Sequence, residues 1–471
     1  DHRGGPLTMT AGTIPSDFPA PLDVASLRQR LESLAKDEGV GRWDLGAGCS
    51  TDTSVQVDRG DAKQMKGAQR SAITVRVWNG DGLVGITSTS DLSDGGLARA
   101  LAGARDASAF GNADDIPAFS PLATAPLAQL DQPIHAPQGI LRLLDTLKGA
   151  EQDLLSRHEA ISTVPYNGLA ERSSERIYLN SDGACRHQQL TTASLYLYAR
   201  AEETGRKPRS GGAVRLAYGA SDLDIAGCID EAAERTIAHL DYAPIDTGHY
   251  TCVFSPEAFL DLIGAFSSLF NARAVLDGVS LSQRDSLGSS LAVPFLSIRD
   301  NGLHPGNVGA SAFDGEGTPT APLDLVEGGV LRHFLHSEAT ARAFGVAPTG
   351  HAGLGAKVSV GADWFEIGAT PGSNGGQQGL NRFNHAGPVV VIDSLSALHA
   401  GVKASQGSFS LPFDGWLVQN GVSRSIEAAT VAGDIRAVLQ AIVGFEGDAK
   451  ITPDGLCPYV WVEGLSVTGE A

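Results

Sequence analysis

The residues of this 471-residue chain best suited to chemistry by type and spacing form one run, Phe313-Asp314-Gly315-Glu316-Gly317-Thr318-Pro319-Thr320. Two carboxylates in a glycine turn would attract a cation or a peptide amine and would repel phosphate. Asp314, Gly315, Glu316 and Gly317 are therefore candidates for peptide contact, and a plain tight turn is the competing reading. Two further elements follow, Thr340-Ala341-Arg342 and Thr349-Gly350-His351-Ala352-Gly353. His333, His336 and His351 lie close enough in sequence to ligate zinc. However, Val330 to Leu335 reads as strand, where positions 333 and 336 face opposite ways, and no carboxylate completes a known pattern. His158-Glu159 opens a His-Glu pair, but Thr163 stands where the second histidine would fall. Gly309-Ala310-Ser311-Ala312-Phe313 fails as a nucleophile elbow at its last position, and Cys185-Arg186-His187 has no papain-like context. Neither a P-loop nor a strand-coupled Gly-x-Gly-x-x-Gly occurs. An independent hydrolytic site around Glu316, His304 and His351 is the enzymatic option that the residues alone leave open.

Composition narrows the classes. A net charge of −19 and a pI near 5.0 disfavour direct nucleic-acid binding. The single compact basic segment, Arg200 to Arg215 with Arg206, Lys207 and Arg209 at its centre, reads as a solvated loop. Five scattered cysteines without a Cys-x-x-Cys suggest reduced thiols. No apolar run approaches the ~18 residues of a membrane span. Asp1 to Pro21 shows no signal-peptide pattern, so a cytoplasmic location is expected.

The elements that must position these residues divide the chain into three. Residues 1–115 read as a small N-terminal α+β domain. Leu22 to Lys36 carries Leu27, Leu31 and Leu34 on one helical face; Ala72 to Trp78 alternates as a strand; Asn79-Gly80-Asp81-Gly82 is a hairpin turn; and Leu92 to Ala109 is a second helix. Residues 116–245, opening on a proline-rich linker, read as a middle α+β domain with helices at Ile140–Ala160 and Leu223–His239. Residues 246–471 read as a large, glycine-punctuated β-rich domain. There Ser255-Pro256-Glu257 starts a helix, with serine as the cap and proline in the first turn. The expected fold class is thus α+β.

Several elements, in order, resemble one family, the TldD/TldE (PmbA, "modulator of DNA gyrase") metalloproteases. Val75-Arg76-Val77-Trp78 with Gly80, Gly82 and Gly85, the turn Asn180-Ser181-Asp182-Gly183, Asp277-Gly278-Val279-Ser280, the 313–317 run, Gly407-Ser408-Phe409-Ser410 and Pro458 to Thr468 carry the resemblance. The family's catalytic subunit starts a C-terminal-domain helix with His-Glu-x-x-x-His. The corresponding start here is Pro256, Glu257 and Asp261, with proline and aspartate in place of the two histidines. The chain is therefore similar to the TldE/PmbA-like subunit. The resemblance implies no catalytic residue and no metal in this chain, zinc in a TldD-like catalytic partner, and an unfolded or leader peptide as substrate. A free-standing peptide-binding homodimer without protease activity is the alternative. Neither nucleic acid nor membrane is expected as a partner.

Overall fold

The computed structural model describes residues 22–470. Its first half is built on one six-stranded antiparallel sheet in the order β3-β2-β1-β4-β5-β6. The strands are β1 (Arg42–Asp58), β2 (Asp61–Trp78), β3 (Val84–Thr89), β4 (Ile161–Asn180), β5 (Cys185–Ala201) and β6 (Arg209–Ala217). β1 pairs with β4 from Asp44↔Asn180 to Val55↔Leu169, so the first two sequence segments share a single sheet. The strands are much longer than their alternating cores suggest. Asp61 to Arg70 of β2 is largely exposed and polar, so it carries no inward-facing period to read.

Helices cover one face of this sheet at its two ends. α1 (Val24–Asp37) and α2 (Asp94–Ser108) bury Leu27, Leu31, Leu97 and Leu101 against Leu45, Val75 and Ile177. α3 (Ile140–Ser156) and α4 (Ile225–Ala238) bury Leu147, Leu154 and Ile229 against Val55, Leu195 and Leu197. Local signals account for the helix starts: Asp23, Ser93 and Asp224 each accept a first-turn N–H as caps. Because side chains alternate along a strand, Asp44, Arg76 and Tyr178 project to the opposite face, which meets the C-terminal half.

The C-terminal half holds a thirteen-stranded mixed sheet around the largest core of the described residues. Helix α5 (Pro256–Ala265) lies in that core, burying Phe259, Leu262 and Ile263. Ser255 caps it as its sequence predicts, accepting from Ala258 N at 3.1 Å. No helix among the described residues is long and apolar enough to cross a membrane.

The basic segment is an exposed loop at Arg206 and Lys207, as its composition suggests, and departs from that reading at Arg209. Arg209 is buried and donates to the carbonyls of Glu427 and Ile426, tying β6 to the C-terminal half. Arg206 stacks on Tyr242 at 3.8 Å.

Candidate functional site

The acidic turn lies in the seam between the two halves. Asp314 is 4% and Glu316 1% exposed, so neither carboxylate faces an open surface. Asp314 Oδ1 accepts the N–H groups of Glu316 and Thr318, both at 2.9 Å, and Oδ2 accepts that of Ala352 at 2.9 Å. Glu316 Oε1 accepts Glu338 N at 2.9 Å, at the start of the short helix Glu338–Phe344. Its Oε2 lies 3.9 Å from Arg76, which is itself paired to Asp44 and fully buried. Tyr178 donates to the same Asp44 carboxylate at 2.9 Å. Burial pushes the Glu316 carboxyl up to about 7, against the pull of Arg76.

The two glycines are needed for space. A Cβ on Gly315 would stand 2.4 Å from Leu354 N. One on Gly317, where φ is +79°, would stand 2.6 Å from the Tyr178 ring. The linker closes the seam, since Thr318 donates to Ser120 at 2.7 Å and Arg342 to Ile116 O at 2.9 Å. The turn that sequence offers for peptide contact is, as placed, an interdomain clamp with its hydrogen-bonding capacity turned inward.

The histidines are dispersed. His333 and His336 do not share a strand, because that strand ends at Leu331. His333 bonds Asp324 O, whereas His336 is buried and pushed down to about 4 by desolvation. His304 stacks on Trp364 at 4.6 Å. His351 pairs instead with Asp300, and neither it nor His304 contacts Glu316.

A cleft of about 540 Å³ opens where α5 faces the middle of the chain. Tyr198, Glu231 and Arg235 line one side; Glu257, Asp261 and Asp454 line the other. The Glu257 carboxylate meets Arg235 of α4 with both oxygens at 3.3 Å. Burial, helped by Asp454 and Glu257, pushes Asp261 up to about 6. Asp393 behind Arg235 is likewise raised to about 6 by burial. This pairing spans two domains, and no local pattern reveals it.

The donor set at this helix start does not fit zinc. Pro256 has no side-chain donor atom, Glu257 is paired to a guanidinium, and among the described residues that line the cleft there is no imidazole or thiolate. Cys457 is fully buried, and burial pushes its thiol well above the ordinary range. Among the described residues the donors close enough to share a metal are Asp300, His351 and Asp363, which are not part of this helix start.

The three-part architecture is that of a metallopeptidase family. Three family models match in order: PmbA/TldA metallopeptidase domain 1 over residues 50–108, the central domain over 136–240 and the C-terminal domain over 247–469. The chain belongs to the PmbA/TldD/TldE metallopeptidase family. Metalloprotease PmbA of Escherichia coli O157:H7 is 24% identical over 410 residues, covering 83% of this chain and 87% of that protein. A protein described as a modulator of a DNA gyrase from Thermotoga maritima MSB8 superposes with a TM-score of 0.83 at 25% identity, covering 94% of this chain and 100% of that one. TldE from Thermococcus kodakarensis shares the fold with a TM-score of 0.82 at 16% identity, over 93% and 100% of the two chains.

Proposed function

We propose that this chain is the non-catalytic, TldE/PmbA-like subunit of a two-component protease that cleaves unfolded or leader peptides. The observation that supports the reading is the helix start at Pro256: this chain has a proline and an arginine-bound glutamate where, by its resemblance to the family, the catalytic subunit would carry a zinc ligand and a general base. A general base must be free to take a proton from the attacking water. Glu257, fixed by Arg235, serves to join the domains across the cleft. Zinc and the hydrolytic water belong to a TldD-like partner, and this chain closes the chamber in which the peptide lies.

The test is reconstitution. The chain is mixed with a His-Glu-x-x-x-His partner from the same source, complex formation is followed by light scattering, and cleavage of an unfolded protein is assayed. A mixed oligomer that cleaves, from two components that separately do not, is the expected result. Tight peptide binding by a homodimer that ignores the partner would favour a free-standing binding protein instead.

A further inference from the structure

Asp300 ends the strand Leu296–Asp300 and is fully buried. Its Oδ1 accepts the N–H groups of Asp363 at 3.0 Å and Trp364 at 2.8 Å, which aims Oδ2 at His351 Nε2. Asp363 Oδ2 lies 3.8 Å from the same Nε2, with its side chain 36% exposed. The Asp363 carboxylate accepts no hydrogen bond from the described residues. The three donor atoms fall within 4.8 Å of one another.

The proton inventory makes this group unusual. Thr349 Oγ1 accepts His336 N at 2.7 Å, and it lies 3.1 Å from His336 O and 2.7 Å from His351 Nδ1. A hydroxyl has one proton to give. When Thr349 donates to the carbonyl, His351 Nδ1 must carry a proton and donate to Oγ1. Nε2 then faces two carboxylates, and these acceptors need a positive group beside them, which either an imidazolium proton on Nε2 or a bound metal ion supplies. When Thr349 donates to Nδ1 instead, Nε2–H serves Asp300. The hydroxyl can satisfy either state by rotating, so Nε2 can exchange its proton for a metal without leaving a buried group unpaired. The same threonine fixes the ring from behind, as outer partners of metal-bound histidines do. Arg176 and Asp314 supply the nearest further charges on the Asp363 side, and the buried His336 stands behind Thr349.

We propose that Asp300, His351 and Asp363 form a site for a divalent transition cation of the zinc or manganese class, bound through Nε2 and one oxygen of each carboxylate. Binding releases the Nε2 proton to solvent, and water completes the shell on the exposed Asp363 side. An imidazole ligand selects such cations over calcium or magnesium, which take oxygen donors. The site joins three separate segments of the C-terminal domain. It departs from the expectation of a metal-free chain, and it is independent of the degenerate helix start.

The experiment uses the full chain, stripped with chelator and titrated with Zn²⁺ or Mn²⁺ alone, read by calorimetry, by metal content after desalting and by thermal unfolding. One saturable equivalent is expected, with a raised Tm. Asp363→Ala removes an exposed side chain, and its fold is checked by circular dichroism; it should weaken binding at least about tenfold. His351→Gln should do the same, whereas Asp261→Asn in the cleft should leave binding unchanged. No saturable binding to the wild-type chain, or equal binding by Asp363→Ala, would overturn the site. Loss of binding in Asp261→Asn would move the metal to the cleft and overturn it equally. Peptidase activity of the zinc-loaded chain alone would count against the non-catalytic reading while leaving the metal site standing.

Discussion

Two acidic regions of this molecule look alike in sequence and behave oppositely in the fold. The 314–316 turn buries two carboxylates and answers them with four backbone N–H groups and an arginine. The 257–261 helix turn also places two carboxylates close together, yet it leaves them on a cleft of about 540 Å³ with Arg235 as the cation that meets Glu257. The first is a clamp and the second an opening. Acidity in a sequence therefore says little about role; what decides is whether the hydrogen-bonding capacity is used up inside the fold.

The contrast can be broken most forcefully at the clamp. Arg76→Ala strands the buried Asp44 carboxylate and removes the cation facing Glu316. It should cost about 3–5 kcal/mol in denaturant unfolding, and a loss below about 1 kcal/mol would show that the seam is not held this way. Asp314→Ala deprives three buried N–H groups of their acceptor and should cost roughly 3 kcal/mol. Gly317→Ala combines a positive φ with a clash against Tyr178; about 1–3 kcal/mol is expected from the same measurement.

The cleft should respond in the other direction. The Asp261 pKa, near 6, is raised above that of an unfolded aspartate. Its ionisation therefore penalises the folded state fully above pH 6, and the penalty is relieved as pH falls through 6 toward 4. Asp261→Asn removes the penalty. It should stabilise the chain by about 1 kcal/mol at pH 7–8, discounted for water in the cleft. The gain should fade below pH 5. A stability profile with no pH-dependent difference between the two proteins would place Asp261 in free solvent.

Local signals were legible in the sequence and distant pairings were not. The Ser255-Pro256-Glu257 start could be read because a cap involves only neighbours within one turn. The Asn79–Gly82 hairpin could be read for the same reason, and Asn79 N does bond Leu83 O at 2.8 Å. The motif order was enough to place the chain in its family. The clamp's partners were hidden, because Arg76 and Tyr178 come from a sheet far earlier in the chain and meet Glu316 and Gly317 respectively only through side-chain alternation on β2 and β4. The burial of Arg209 escaped composition for a related reason: three backbone and hydroxyl acceptors from residues 425–427 replace its water. Asp300 is one of the elements that resemble the family, ahead of the 313–317 run, but nothing in its sequence neighbourhood shows its partners. Its role depends on how residues 349–364 fold back over the strand it ends.

The central claim is that the cleft at α5 is not a peptidase centre. The most direct measurement is cleavage of an unfolded protein by this chain, alone and with a TldD-like partner, using the wild type and Glu257→Gln. The account predicts no cleavage by the chain alone, and it predicts that Glu257→Gln leaves the activity of the reconstituted complex within about twofold of wild type, since the substituted group is no general base. Cleavage by the isolated chain that Glu257→Gln abolishes would contradict it.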